Sequence, residues 1–160
     1  MYVDPEAAHV VLGAGIPLTM VGLDVTRKVL LREEQIRSLE AGRNAASQAA
    51  ARIMRRTLDR SRKAKQGTAV AMHDPLTVAY LIDPGILSLK DYFVAVETSG
   101  EITAGETVGY SQPPIRKSAP LANSSTGAEE ALFRPNAKVA VDVRPEHFFR
   151  LFLERVAGSV

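Results

Sequence analysis

Residues 138–156 read KVAVDVRPEHFFRLFLERV, a short apolar strand followed at once by an amphipathic helix. In Lys138–Val143, valines alternate with other residues at the two-residue period of a β-strand. Pro145 then opens a helix. Its apolar residues recur at helical spacing, at Phe148, Phe149, Phe152 and Val156. A strand that passes directly into a helix points to an α/β fold.

The same alternation of helices and strands continues back to the N-terminus. Asp4-Pro5 predicts a helix start with Asp4 as the cap, and the helix runs to Leu12. Further helices are predicted at 32–41, 45–65 and 76–82, and strands at 17–26, 92–98 and 107–110. Residues 111–136 are rich in Pro, Ser, Ala and Asn without any period, which predicts a long loop. The order is α/β, with few strands for a complete doubly wound sheet.

Length and composition limit the classes of protein. The chain has 160 residues, 46% of them hydrophobic, which is enough for one domain with a core of ordinary size. It has no cysteine, which excludes disulfides, cysteine-ligated zinc and a thiol nucleophile. No apolar run is long enough to span a membrane, and the first residues, MYVDPEAAH, do not resemble a signal peptide. We therefore expect a soluble, cytoplasmic protein.

One of the three histidines stands out as a candidate for chemistry. His73 follows a loop and precedes Asp74-Pro75, which predicts a helix that starts beside it. By spacing alone, His73 is most simply a surface histidine and Asp74 a helix cap. His9 and His147 lie inside predicted helices, where packing or surface roles are expected.

The helix at 45–65 suggests an alternative function. It carries Arg52, Arg55, Arg56, Arg60, Arg62, Lys63 and Lys65. Nucleic-acid binding is the functional interpretation of such a helix, and a solvated charged face is the simpler one. No aromatic residue interleaves with these cations, and the net charge is only +2, so we expect no nucleic-acid partner.

Several segments, taken in order, resemble the inosine–uridine preferring nucleoside hydrolase family. They are 4–8 (DPEAA), 20–26 (MVGLDVT), 73–79 (HDPLTVA), 96–108 (VETSGEITAGETV) and 136–142 with the helix that follows. The resemblance covers most of the chain except 111–135. It implies that residues 1–160 are the C-terminal portion of the family's domain, an incomplete, mostly parallel, Rossmann-like sheet with flanking helices.

The resemblance also implies a reaction, the hydrolysis of the N-glycosidic bond of a purine or pyrimidine ribonucleoside to ribose and free base, as in base salvage. Asp74 matches the family's C-terminal calcium ligand. His73 matches the histidine near the leaving base, where it is the expected catalytic acid. Imidazole suits that role because its ordinary pKa lies close to neutral pH.

The family's other catalytic segments are not found in these 160 residues. An N-terminal DxDxxxDD segment supplies most of the calcium carboxylates, and an asparagine-containing segment that grips the ribose precedes DPEAA. Since calcium needs roughly six to eight oxygens, we expect this chain alone to bind no calcium and to be inactive. It would need a complementary N-terminal half or assembly into an oligomer. The alternative is a non-catalytic regulatory or binding module that pairs with a full-length homologue through an exposed sheet edge.

The stretch 56–66 bears on base preference. The family often carries aromatic residues near the base in this helix, and this sequence has none there. The sequence therefore leaves the choice between purine and pyrimidine open.

Overall fold

The computed structural model describes residues 1–65, 67–111 and 134–158. The chain divides into two compact units. The first comprises residues 1–20 and 89–139, and the second comprises residues 21–88 and 140–160. Among the described residues, no helix is long and apolar enough to cross a membrane.

The first unit begins with helix α1, Pro5–Gly13. The side chain of Asp4 accepts a hydrogen bond from the backbone N–H of Ala7 at 2.8 Å, and Pro5 occupies the first turn. This arrangement satisfies one of the N–H groups that a helix start leaves without a partner. The predicted cap and helix are confirmed.

The sheet has strands β1 (Thr19–Met20), β4 (Leu87–Val96), β5 (Thr107–Tyr110) and β6 (Ala137–Val143). Their order is β1-β6-β4-β5, with β1 parallel to β6 and β4 antiparallel to β5. Strands β4 and β6 carry residues of both units. The predicted α/β class is confirmed, with a sheet that is mixed in direction.

Asn136 joins α1 to the sheet within the first unit. Its side-chain oxygen accepts from the N–H of Val94 at 2.7 Å, and its amide nitrogen donates to the carbonyls of Leu12 and Val94. Leu12, Val94, Val96 and Ala137 form the buried core around these contacts. The end of the helix and the start of β6 are therefore fixed by both packing and hydrogen bonds.

The second unit is mostly helical. Its elements in chain order are α2 (Leu23–Thr26), β2 (Leu30–Leu31), α3 (Glu33–Ala41), α4 (Ala45–Lys63), β3 (Val70–Ala71), α5 (His73–Ile82), a 3-10 turn (Pro84–Ile86) and α6 (Pro145–Ala157). Its fully buried side chains include Leu39, Leu58, Leu76 and Phe148, one from each long helix. The apolar stripe predicted on the last helix is confirmed in Phe148, which stacks on Phe152 at 5.7 Å.

One predicted strand is wrong. Residues 17–26 were expected to form a single strand, but only Thr19–Met20 is extended in the sheet, and Leu23–Thr26 forms α2. Gly22 is the cap of that helix, and Val25 and Thr26 are buried. One turn of helix is too short to show a 3.6-residue period, so its apolar residues continue the pattern of the strand before it.

Two other boundaries differ from expectation. Strand β4 starts at Leu87, five residues before the predicted start at residue 92. The prediction missed its first half because Ser88, Lys90 and Asp91, which are exposed, interrupt the apolar pattern there. The loop predicted at 111–136 falls mainly on residues 112–133, which lie outside the described residues.

Candidate functional site

The start of α5 is fixed by a short antiparallel backbone contact. Strand β2 pairs with β3, with Leu31 opposite Val70 and Leu30 opposite Ala71. The next residue along, Met72, donates its N–H to the carbonyl of Val29 at 3.0 Å. The segment after α2 and the segment before α5 are therefore held side by side.

Helix α5 begins at His73, with Met72 at the cap position. The prediction that Asp74 caps this helix, with His73 just before the cap, is wrong. Both residues lie in the first turn, where the ring of Pro75 is tolerated because the N–H groups have no partner within the helix. A carboxylate in the first turn, such as that of Asp74, interacts favourably with the positive end of the helix dipole.

His73 contacts a residue that lies 47 positions earlier in the chain. Its ring nitrogen Nδ1 is 2.8 Å from the hydroxyl oxygen Oγ1 of Thr26. Thr26 is only 3% exposed, whereas His73 is exposed. The imidazole is therefore held at one nitrogen by a buried group while the ring remains accessible to solvent.

Asp74 has different surroundings from His73. Its exposed side chain lies at the edge of a groove of about 410 Å³ between α5 and α6. The groove is lined mainly by apolar side chains, which are Pro75, Val78, Ala79, Ile82, Leu151, Phe152 and Val156, with Arg155 as its other charged residue. The structure thus places the two candidate residues in one helical turn, with His73 against α2 and Asp74 beside α6.

Asp74 does not belong to a cluster of candidate metal ligands in the described part of the chain. Within residues 1–65, 67–111 and 134–158, no group of three or more His, Asp or Glu side chains is placed to hold a metal ion. Calcium takes roughly six to eight oxygen ligands, and the carboxylate of Asp74 supplies at most two. Further ligands would have to come from outside these residues.

The other two histidines lie on other helices than His73. His147 is on α6, and its Nε2 is 2.9 Å from Oδ2 of Asp83. Oδ1 of Asp83 accepts from the N–H of Gly85 at 2.9 Å, so this carboxylate also caps the 3-10 turn. His9 is exposed on α1.

The arginine-rich helix is partly engaged with its neighbour. Arg55 pairs with Glu33 and Glu40 of α3, and Arg62 donates to the other oxygen of Glu33 at 3.0 Å. The hydrogen bond from Arg55 is the main reason that the pKa of Glu33 lies below its usual value. Two of the predicted surface cations therefore join α4 to α3.

Sequence reasoning missed Thr26 as a neighbour of His73. No spacing rule relates residues so far apart in the chain, and the misassigned strand at 17–26 gave Thr26 no distinct position. The available signal was that Thr26 ends one of the segments, 20–26, that resembles the family in which His73 is the expected acid.

Comparison with known proteins agrees with this architecture. Residues 1–150 match the family described as inosine-uridine preferring nucleoside hydrolase. The chain is 36% identical over 159 residues to a pyrimidine-specific ribonucleoside hydrolase, RihA, of Citrobacter koseri, covering 98% of this chain and 46% of that protein. It is 40% identical over 109 residues to the protein of the same description from Shewanella woodyi, covering 68% and 35%. The chain thus spans about half the length of the curated relatives, or less.

Solved structures show the same fold. A plant nucleoside hydrolase, the PpNRh1 enzyme, superimposes with a TM-score of 0.80 at 22% identity, over 97% of this chain and 46% of that one. A purine-preferring ribonucleoside hydrolase from Gardnerella vaginalis gives a TM-score of 0.75 at 25% identity, over 96% and 44%. From its sequence match over residues 1–150, the chain belongs to the inosine-uridine preferring nucleoside hydrolase family.

Proposed function

We propose that this chain supplies the leaving-base side of a nucleoside N-ribohydrolase active site. The observation that carries the proposal is His73, an exposed imidazole at the start of α5 whose Nδ1 is held by buried Thr26. A ring anchored at one nitrogen and open at the other suits directed proton transfer. Because the chain belongs to a nucleoside hydrolase family, we propose that this proton transfer serves the hydrolysis of an N-glycosidic bond.

The chemistry follows from the bond that breaks. In N-glycosidic hydrolysis, the bond between the ribose C1′ and the base nitrogen breaks through a transition state that resembles an oxocarbenium ion. The base leaves with the bonding electrons and takes a proton, which His73 would donate from Nε2. Water forms the new bond at C1′ and releases a proton, so that the products are ribose and the free base.

Asp74 is proposed as one ligand of a calcium ion, the cofactor that the family resemblance implies. When bound, a calcium ion would supply a hard cation to which a water and the ribose hydroxyls could bind. One exposed carboxylate does not make such a site, so the proposal requires oxygens from a complementary segment or a partner chain. Asp74 in the first turn of α5 is a suitable contributor, because its carboxylate is accessible.

The substrate is proposed to be a pyrimidine ribonucleoside. This choice rests on the relatives from Citrobacter koseri and Shewanella woodyi, which are described as pyrimidine-specific. One of the solved structures with this fold is described as purine-preferring, so uridine and inosine should be compared directly. The absence of cysteine from the sequence is compatible with a cytoplasmic setting, which we also propose.

A non-catalytic module that pairs with a full-length homologue is the second candidate. Strand β1 lies at the edge of the described sheet and pairs only with β6. On α1, Val10 is 68% exposed and Val11 is also exposed. An open strand edge and exposed apolar side chains are features of surfaces that pair with another chain.

Ribose release tests the two candidates. The purified 160-residue chain is assayed with calcium and uridine or inosine, alone and after co-expression with the part of the Citrobacter koseri relative that it does not match. We expect no turnover alone and measurable turnover for the pair. In the pair, His73→Gln should lower kcat by roughly 10²–10⁴-fold, the usual contribution of a general acid.

The control variant is His147→Gln, because His147 makes a comparable contact away from His73. Its kcat in the pair should equal that of the unmodified chain. Turnover by the chain alone would refute the incomplete site, and an active His73→Gln pair would refute the role of His73. A stable pair without any turnover would support the non-catalytic module.

A further inference from the structure

We propose that Thr26 is a positioning residue for His73. Its buried hydroxyl holds Nδ1, so that Nε2 is the ring nitrogen presented to the substrate. This inference rests on the proposed role of His73 as the acid. It adds to that role a residue on a separate helix, α2, and a specific assignment of the two ring nitrogens.

The contact between Thr26 and His73 is short, and the two residues differ in burial. The Oγ1–Nδ1 distance of 2.8 Å is that of a well-formed hydrogen bond. Thr26 is 3% exposed, whereas the imidazole it contacts is exposed. A buried group has few alternative positions, so the threonine determines where the ring lies.

The backbone also fixes the position of Thr26. The N–H of Thr26 donates to the carbonyl of Gly22 at 3.0 Å, and its carbonyl accepts from the N–H of Val29 at 3.1 Å. The carbonyl of Val29 in turn accepts from Met72, the residue before His73. Two successive backbone hydrogen bonds therefore connect Thr26, through Val29, to Met72, the residue before His73.

A hydroxyl suits this position because it can rotate to donate or to accept. It can accept from Nδ1–H, and it can donate to an Nδ1 that carries no proton. A backbone carbonyl can only accept and an amide N–H can only donate, so neither would hold the ring in both neutral tautomers.

The neutral ring has a specific expected tautomer. Within the described part of the chain, Nδ1 of His73 is the one polar atom in hydrogen-bond contact with the Thr26 hydroxyl. A buried hydroxyl hydrogen without an acceptor is unfavourable, so the hydroxyl should donate to Nδ1. The proton of the neutral imidazole then lies on Nε2, the nitrogen on the open side.

Ring nitrogen chemical shifts test the assignment in the full chain. Long-range ¹H–¹⁵N correlation spectra at alkaline pH identify the tautomer of His73. We expect the Nε2–H form with a hydrogen-bonded Nδ1. Thr26→Val keeps the shape of the side chain and removes the hydroxyl, so the Nδ1 signal should move and the tautomers should mix. Thr26→Ser should restore the original spectrum.

Thr57→Val is the matched control, because its hydroxyl donates to the carbonyl of Ile53 within α4 and makes no contact with His73. Its His73 signals should be unchanged. A folded Thr26→Val chain with unchanged His73 signals would overturn the proposal. If Thr26→Val does not fold, the unmodified chain still decides, since a His73 Nδ1 chemical shift typical of a nitrogen without a hydrogen bond would also overturn the proposal.

The paired enzyme gives a second measurement. A misaligned acid slows the chemical step more than binding, so Thr26→Val should lower kcat about 10–100-fold with little change in KM, and Thr26→Ser should recover most of it. Equal kcat for Thr26→Val and the unmodified chain would refute positioning. If no pair is active, the proposed function fails, and the ring spectra still decide the role of Thr26.

Discussion

The two ends of helix α5 each place a histidine against a side chain from another element, but the partners differ in charge. At the first turn, exposed His73 meets the neutral hydroxyl of Thr26. Just beyond the last turn, half-buried His147 meets the carboxylate of Asp83. The first contact joins the ring to a neutral hydroxyl, whereas the second joins a ring nitrogen to a carboxylate oxygen at 2.9 Å.

This difference separates the proposed proton-transfer site at His73 from the contact between His147 and Asp83. Asp83 uses both carboxylate oxygens within the protein, one for Gly85 and one for His147. Asp74, the aspartate at the N-terminal end of α5, makes no cap hydrogen bond, and its side chain is exposed. The polar groups are satisfied at the C-terminal end of α5 and remain available at the N-terminal end.

The largest expected effects come from removing the apolar packing beneath the two ends. Phe148→Ala, beside His147, should lower the free energy of unfolding by about 3–5 kcal/mol, and Leu76→Ala, near His73, by about 2–5 kcal/mol. Both side chains are fully buried, so each truncation leaves a cavity. Urea unfolding followed by circular dichroism measures both.

The matched control is Leu81→Ala, which removes an α5 side chain that is 79% exposed and should change stability by less than about 0.5 kcal/mol. Similar losses for Phe148→Ala and Leu76→Ala would confirm that the two ends are equally well packed and differ in their polar partners. A Leu76→Ala loss near that of the control would show instead that the His73 end is loosely packed.

A smaller effect should distinguish the two aspartates. Asp83→Ala removes the cap on Gly85 and the partner of His147, so it should destabilise the chain by roughly 1–2 kcal/mol. Asp74→Ala should stay within about 0.5 kcal/mol of the unmodified chain, because its side chain is exposed and caps nothing. Thermal unfolding compares them directly, and equal losses would contradict the comparison.

The smallest expected effect is on how the free energy of unfolding depends on pH in acid. The contribution of Glu33 to this dependence has to be known before variants at the two ends of α5 are compared at different pH values. The pKa of Glu33 is lowered, chiefly by its hydrogen bond from Arg55, below the usual value of 4.5. A carboxyl with a lower pKa in the folded state stabilises the fold above its unfolded pKa, and this stabilisation is lost as the pH falls through the folded value. Glu33→Gln should therefore make the loss of stability in acid shallower.

Urea unfolding at a series of pH values from neutral to below 4 checks this expectation. Glu34→Gln is the control, since Glu34 is an exposed neighbour on α3. It should leave the pH profile as in the unmodified chain. An unchanged profile for Glu33→Gln would mean that the acid dependence arises elsewhere, for example from Glu97 and Asp142, two other described carboxyls with lowered pKa values.

The predictable parts of the fold were those with local signals. Asp4-Pro5 and Pro145 mark helix starts through capping and ring geometry that involve a few neighbouring residues, and both hold in the structure. The short elements that the sequence did not reveal have a common cause. Helix α2 and strands β2 and β3 are two to four residues long, which is too short to show a period, and they form because their side chains and backbones find partners elsewhere in the chain.

His73 and Asp74 were proposed as site residues from the sequence alone, because the order of the family-like segments is a property of the sequence. Only the tertiary structure decided their surroundings, with His73 against Thr26 and Asp74 beside the groove between α5 and α6. The physical reason is distance along the chain. Helix starts depend on neighbours within one turn, whereas the partner of a ring nitrogen depends on which distant segment the core brings beside it.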